Sequence, residues 1–460
     1  MTALHHLGLL ELAELLRRRE VTSVEATRAQ LQRIDRLDGR LKSYVRITAE
    51  DALAAAERAD VEMARGTYHG PLHGVPLAVK DLFWTKGVPT AAGTTIHRDF
   101  VPQEDATVVV RLKRAGAILL GKLQMTEGAY SDHHPAIAPP KNPWNAEYWT
   151  GISSSGPAVA TAAGLCYGAL ASDTGGSIRW PCSATGLSGI KPAWGRVSRF
   201  GIFELAASLD HVGPIARSVA DAAVILDAIA GPDGRDPTTL PEPHTVFGSG
   251  ESIAGLRLGI DARWNTIDVD PAVLSVLAEA EKVFRQRGAE IVDVQAPDVT
   301  QAVIDWVPAC ALEAAFAHRA TYPAQKDEYG PILASVLNAG RAVSVMDYQA
   351  IRLRRMDLRG RFSHLLQTID ALLTPVQPFA PLTLADISTL GDKPELILKL
   401  QRYTAPFDLT GHPAVTLPGG FSGNEMPIGL QLVGRDEATL IRAALAFQDE
   451  TPWHKRHPIS

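Results

Sequence analysis

The chain is poor in the features that would tie it to a membrane, a polyanion or an oxidising compartment. Its 460 residues include three cysteines, Cys166, Cys182 and Cys310, an odd number at no metal-like spacing. A disulfide framework and a cysteine zinc site are thereby excluded, and the three read as reduced, buried thiols. No apolar run approaches the length needed to cross a bilayer, and the start Met1-Thr2-Ala3-Leu4-His5-His6 lacks a signal-peptide layout. No membrane association is expected, and a cytoplasmic location is. Basic residues are not in excess: 45 Lys and Arg face 51 Asp and Glu, for a net charge of −6. That leaves no electrostatic footprint for nucleic acid. No internal repeat and no low-complexity tract is present.

What is present is an alternation of strand and helix patterns, which argues for an α/β architecture. From Glu11 to about Ala64 the pattern is helical, with a cap-like start at Val21-Thr22-Ser23-Val24-Glu25 and Ala26, Leu31, Ile34 and Leu37 recurring on one face. Short strands and small-residue helices follow from about Gly70 to Gly213. Gly231 to Gly255, rich in Pro, Gly and acids, reads as a surface excursion. Leu256–Ile260, a helix from Pro271 to about Gly288, and Glu290–Val294 form a βαβ unit. Residues 302–366 are mostly helical, and Ala371–Pro375 is a further buried strand. The length would hold two or three domains, yet large α/β enzymes often remain one, and a single domain over 1–460 is expected. It divides into an N-terminal helical segment (1–65), a central core (70–215) and a remaining α/β part (216–460).

Three segments carry chemistry. Gly74-Val75-Pro76-Leu77-Ala78-Val79-Lys80-Asp81 is an apolar strand that delivers one ammonium to its end. Desolvation there lowers a lysine pKa and makes it a candidate base, although a lysine paired with Asp81 at a strand end fits the same string. Thr150-Gly151-Ile152-Ser153-Ser154-Ser155-Gly156-Pro157 opens onto a run of small residues, so hydroxyls cluster at a helix start, where they serve as caps or face a reacting centre. Asp173-Thr174-Gly175-Gly176-Ser177-Ile178-Arg179 places two glycines before one serine. Such glycines let successive N–H groups turn toward one point, as an oxyanion hole requires. Ser177 is then the candidate nucleophile and the amides of Thr174, Gly175, Gly176 and Ser177 the candidate donors, with Asp173 and Arg179 bracing the loop.

These segments, in this order, resemble the amidase signature family: the Ser-rich stretch its GGSSGG signature, DTGGSIR its nucleophile loop, and GVPLAVKD its lysine segment. Ser153 and Ser177 stand 24 residues apart, as in that pattern. Gly189-Ile190-Lys191-Pro192, Ser208-Leu209-Asp210-His211 and Pro427-Ile428-Gly429-Leu430-Gln431 extend the likeness over nearly the whole chain. The resemblance implies one large mixed sheet of many strands wrapped by helices, no cofactor, no metal, and a triad of Lys80, Ser153 and Ser177 with Ser153 after a cis peptide bond. It also implies substrate contacts from Met125, Gly128, Ser154 and Ile178. Ile152, Ser155 and Pro157 depart from the family's Gly, Gly and Ser, and Ser154 and Ser155 are rivals for the place that spacing gives to Ser153.

Other constellations are weaker. Cys182 lies near the nucleophile loop without a partner histidine. His133 and His134 have no further metal ligands at suitable spacing and fit a solvated or rim role. Gly248–Ile253 starts like a dinucleotide loop but lacks its third glycine. Ser188-Gly189-Ile190-Lys191 matches an S-x-x-K string, in the wrong order relative to Ser131-Asp132-His133, and no K-T-G exists; Arg179 occupies the closing position of an α/β-hydrolase elbow. Trp144, Trp180, Trp306 and Phe379 are candidates for an aromatic pocket, built from Met125–Ile137 and Trp306–Ala350. The expected partners are water and a small hydrophobic or aryl amide, a carbamate or an ester, and a homodimer is compatible with the chain. The alternative is a partner-dependent subunit resembling the A subunit of glutamyl-tRNA amidotransferase.

Overall fold

The computed structural model describes residues 4–242, 252–390 and 393–458. Its strands, in chain order, are β1 Tyr44–Ile47, β2 Pro76–Lys80, β3 Ile118–Leu123, β4 Gly168–Asp173, β5 Ser188–Lys191, β6 His211–Ala216, β7 Arg257–Ile260, β8 Glu290–Asp293, β9 Ala371–Pro375, β10 Ala414–Phe421 and β11 Pro427–Gly434. All eleven join one sheet in the order β1-β3-β2-β4-β6-β5-β10-β11-β9-β7-β8. Pairing is parallel along β3-β2-β4 and β9-β7-β8 and antiparallel elsewhere, so the sheet is mixed and the fold is α/β.

The central strands are buried on both faces, as near-continuous apolar or small-residue runs require: every residue of β2, β4, β5, β6 and β9 is buried. The helix Ser155–Ala162 is also buried along its whole length, which its Ser, Gly and Ala content permits. The βαβ unit forms as expected, with β7 and β8 parallel and the helix Pro271–Gln286 between them. At the N-terminal segment Thr22 caps the helix Ser23–Leu41 by accepting from the Glu25 amide, and Glu25 answers with a bond from the Thr22 amide.

One sequence reading needs correction. The N-terminal pattern is not helical throughout, because edge strand β1 separates Ser23–Leu41 from Ala49–Ala64; its Tyr-Val-Arg-Ile content is that of a strand, and β3 supplies the pairing. Residues 302–366 are mostly helical, as expected, in three helices, Thr300–Ala317, Pro331–Ala342 and Val345–Thr368, with a turn-rich stretch after the first. Of the surface excursion, 243–251 lie outside the described residues, and with them Gly248–Glu251 of the dinucleotide-like string.

The topology gathers the site. β2 runs parallel to β4, with Ala78 opposite Ala169 and Val79 opposite Leu170. Their C-terminal ends, Lys80 on one and Ser172 and Asp173 on the other, therefore emerge side by side, the position at which α/β sheets commonly bind ligands.

Candidate active site

Lys80 ends β2 with no exposed surface. Its Nζ donates to Ser153 Oγ at 2.7 Å, Ser172 Oγ at 2.9 Å and Ser154 Oγ at 3.0 Å. Burial brings its pKa down to about 7, against the opposing pull of Asp173 and Asp210. A lysine surrounded by hydroxyls rather than carboxylates is thus substantially neutral near pH 7 and able to take a proton. Asp81, its neighbour in sequence, turns to another lysine: Lys122 Nζ lies 3.7 Å from its carboxylate.

The rival serines are separated by their partners. The Ile152–Ser153 peptide bond is cis. Ser154 precedes the helix Ser155–Ala162, but its hydroxyl makes no cap; it donates to Ser172 O at 3.2 Å. Ser155 Oγ lies 3.0 Å from His133 Nε2, whose pKa burial lowers to about 4, so that ring is neutral.

The loop after β4 is held by one carboxylate. Asp173 accepts from the amides of Gly176 at 2.7 Å and Ile178 at 3.0 Å, and from Arg179 Nε at 3.0 Å and Nη2 at 2.9 Å. Burial alone would raise its pKa, but the Arg179 charge and bonds hold it below the usual carboxylate range. Arg179 Nη2 also donates to Asp408 at 2.6 Å and Nη1 to Thr404 O at 3.0 Å, all fully buried. Thr174 donates through Oγ1 to Asp210 at 2.7 Å and accepts through its carbonyl from Trp306 Nε1 at 2.7 Å.

Two glycines permit this packing. A Cβ at Gly175 would stand 2.6 Å from the Trp306 ring; one at Gly176 would stand 2.7 Å from the Trp180 ring, and Gly176 has φ 138°, a conformation few side chains adopt. The Gly176 amide is committed to Asp173, so the expected set of oxyanion donors contracts by one: the amides of Thr174, Gly175 and Ser177 donate to nothing among the described residues. No hydrogen bond links Ser153 to Ser177 among the described residues, whereas the Lys80–Ser153 bond is made.

Ser177, 7 % exposed, and Thr174 and Gly175 line a cavity of about 340 Å³. Its other walls are predominantly apolar, with Tyr130, Trp149, Trp180 and Trp306 supplying rings and Ile332 and Leu400 among the aliphatic groups. Trp306 stacks on Tyr130 at 15° between planes. Four expected substrate contacts lie elsewhere. Met125 is fully buried in the main hydrophobic core, and Gly128 is buried where an added Cβ would touch Leu333 and His318; Ser154 serves Lys80; Ile178 packs with Cys182 and Leu187. Trp144 is likewise elsewhere, bonded to Thr185 O and against Phe421. Sequence reading missed Trp149 and, far downstream, Ile387, Leu390, Ile397 and Leu400, which face the cavity; isolated apolar residues so distant in the chain carry no local signal of that role.

The remaining candidates stay apart from the cavity. Cys182 is fully buried and burial pushes its thiol pKa well up. Ser188 accepts from Gln448, and Lys191 donates to Pro192 O, so the S-x-x-K string is strand core. His211 is buried in β6, its Nδ1 donating to Leu209 O at 2.6 Å, and burial keeps it neutral. No helix among the described residues is long and apolar enough to cross a membrane.

Comparison with known proteins agrees over almost the full length. A family model described as Amidase matches residues 25–440. AmiD of Mycobacterium tuberculosis, named as an inferred amidase, is 48% identical over 99% of this chain and 96% of its own. The A subunit of glutamyl-tRNA(Gln) amidotransferase from Geobacter metallireducens is 39% identical over 96% of this chain and 97% of its own. The crystal structure of a bacterial aryl acylamidase of the amidase signature family superposes with a TM-score of 0.87 at 25% identity, covering 98% of this chain and 97% of that one.

Proposed function

Since the chain belongs to the amidase family, whose model spans residues 25–440, we propose that it hydrolyses amide C–N bonds with Ser177 as nucleophile and Lys80 and Ser153 as the proton relay. The observation that carries this reading is the fully buried Lys80, with a pKa of about 7 and a 2.7 Å bond to Ser153, beside a cavity that Ser177 lines. Neutral Lys80 accepts a proton from Ser153, which accepts one from Ser177 as its oxygen attacks the carbonyl carbon. The unpaired amides of Thr174, Gly175 and Ser177 are the donors available to the developing oxyanion, where each such donor is worth on the order of 10²–10³ in rate. Returning the proton to the leaving nitrogen releases the amine, and water attacks the acyl-serine by the same relay.

The rings and aliphatic groups around Ser177 favour a hydrophobic or aryl amide, as does the likeness to an aryl acylamidase. Carbamates and esters present the same carbonyl to the same donors. A panel of matched aryl amide, ester and carbamate, followed by amine or alcohol release, ranks these classes. Turnover is expected to vanish in Ser177→Ala; turnover intact in that variant would remove Ser177 from the mechanism.

The 39% identity to an amidotransferase A subunit supports one second reading, a subunit that releases ammonia for a partner. It predicts amide hydrolysis only with that partner present, whereas the first reading predicts activity of the isolated chain.

A further inference from the structure

Among the described residues one cluster brings three metal-ligating side chains together, and it lies outside the proposed active site: Glu62, His69 and His73. Glu62 Oε2 stands 3.0 Å from His73 Nε2 and 3.2 Å from His69 Nε2, and all three donor atoms lie within 4.8 Å of one another. Donors around a four-coordinate zinc ion, bound at about 2.0–2.2 Å, are separated by about 3.4 Å. Two imidazoles and one carboxylate are also the donor set of three-ligand zinc sites, which leave a fourth position open. Here both Glu62 and His73 line a cavity of about 440 Å³, so a fourth ligand has room to enter.

We propose that Glu62, His69 and His73 form a site for one zinc-class divalent ion, independent of the hydrolytic chemistry. The ligands join two elements: Glu62 sits near the C-terminal end of the helix Ala49–Ala64, while His69 and His73 belong to the connection that leads into β2, the strand ending in Lys80. The His73 side chain is fully enclosed, and Tyr68 and His69 lie against its ring with centroids at 6.1 and 4.5 Å.

Binding requires a defined rearrangement of protons. In the metal-free arrangement His73 Nδ1 accepts from the His69 amide at 3.2 Å, so its Nε2 carries the hydrogen that faces Glu62. Coordination through Nε2 moves that hydrogen to Nδ1, with no net release from a neutral ring, and ends the His69 amide contact. One long neutral hydrogen bond is a small loss beside three coordinate bonds. The connection can turn the amide aside, because Gly66, Gly70 and Gly74 all sit at positive φ and His69 is exposed.

The test is a Zn²⁺ titration of the purified chain in competition with a chromophoric chelator, repeated with Glu62→Gln and His69→Ala, with the Co²⁺ visible spectrum as a second reading of geometry. One ion per chain, a tetrahedral Co²⁺ spectrum, and loss of both signals in the two variants are expected. Unchanged amide hydrolysis in the variants shows that they fold, and because binding is read without substrate, the result stands apart from the hydrolase reading. No binding by the parent chain would overturn the proposal. So would binding retained in both variants, which would mark an adventitious ion only, for example at the neighbouring rings of His5, His6 and His457.

Discussion

At the scale of single residues, the account turns on a lysine that acts uncharged. Lys80 must lose its proton to act as a base, and its pKa of about 7 lies far below that of an exposed lysine because the side chain is wholly buried. The sign follows: kcat/KM rises with pH through about 7 and levels above it, as measured with an aryl amide between pH 5.5 and 9. Lys80→Arg, charged at every accessible pH, is expected to be inactive across that range. Gly175 supplies a second prediction. A methyl group there meets the Trp306 ring at 2.6 Å and must displace either the ring or the loop, so Gly175→Ala should lose at least about tenfold in kcat, roughly 1.4 kcal/mol of barrier, with KM read alongside. Lys80, Gly175 and Ser177 stood out as candidates because each signal is local: the apolar strand ends in Lys80, and Gly175 and Gly176 directly precede Ser177. The fate of the Gly176 amide was not, since its commitment to Asp173 depends on how the loop closes.

At the scale of elements, the loop after β4 is fastened by a buried ion cluster that spans the chain. Arg179 binds Asp173 from its own loop and Asp408 from the helix Ala405–Thr410, and its carbonyl partner Thr404 adjoins that helix. Removing the cation leaves Asp173 without its compensating charge, at a cost of about 3–5 kcal/mol. Arg179→Met should therefore lower the free energy of unfolding by that amount, read as a lower denaturant midpoint at unchanged slope, and abolish activity. Arg179→Lys should not restore it, because an ammonium cannot form the fork that holds both carboxylates. The bracing by Asp173 and Arg179 was expected from the likeness of their loop to the family's nucleophile loop, and the Thr22–Glu25 cap from the T-x-x-E string. Asp408 was not, being a lone acid 229 residues from Arg179 with no periodic or motif context. Edge strand β1 was hidden for a related reason: four residues between two long helices are too few to interrupt a helical pattern.

At the scale of the molecule, one sheet of eleven strands makes a site from segments that never meet in sequence. The βαβ unit and the alternation of elements were legible, because strand and helix periods are local. The order of strands and the walls of the cavity were not, because they depend on which strand lies beside which; Leu390, Ile397 and Leu400 reach the same cavity as Tyr130 only after the sheet is assembled. The central claim is that Ser177 attacks without help from any imidazole, and trapping the acyl-enzyme tests it most directly. The purified chain is mixed with a slowly deacylating aryl ester, quenched, and read by intact mass and peptide mapping. The account predicts one acyl group on the peptide bearing Ser177, absent in Ser177→Ala. An acyl group on Ser153, Ser154 or Cys182, or full turnover with Ser177 replaced, would contradict it.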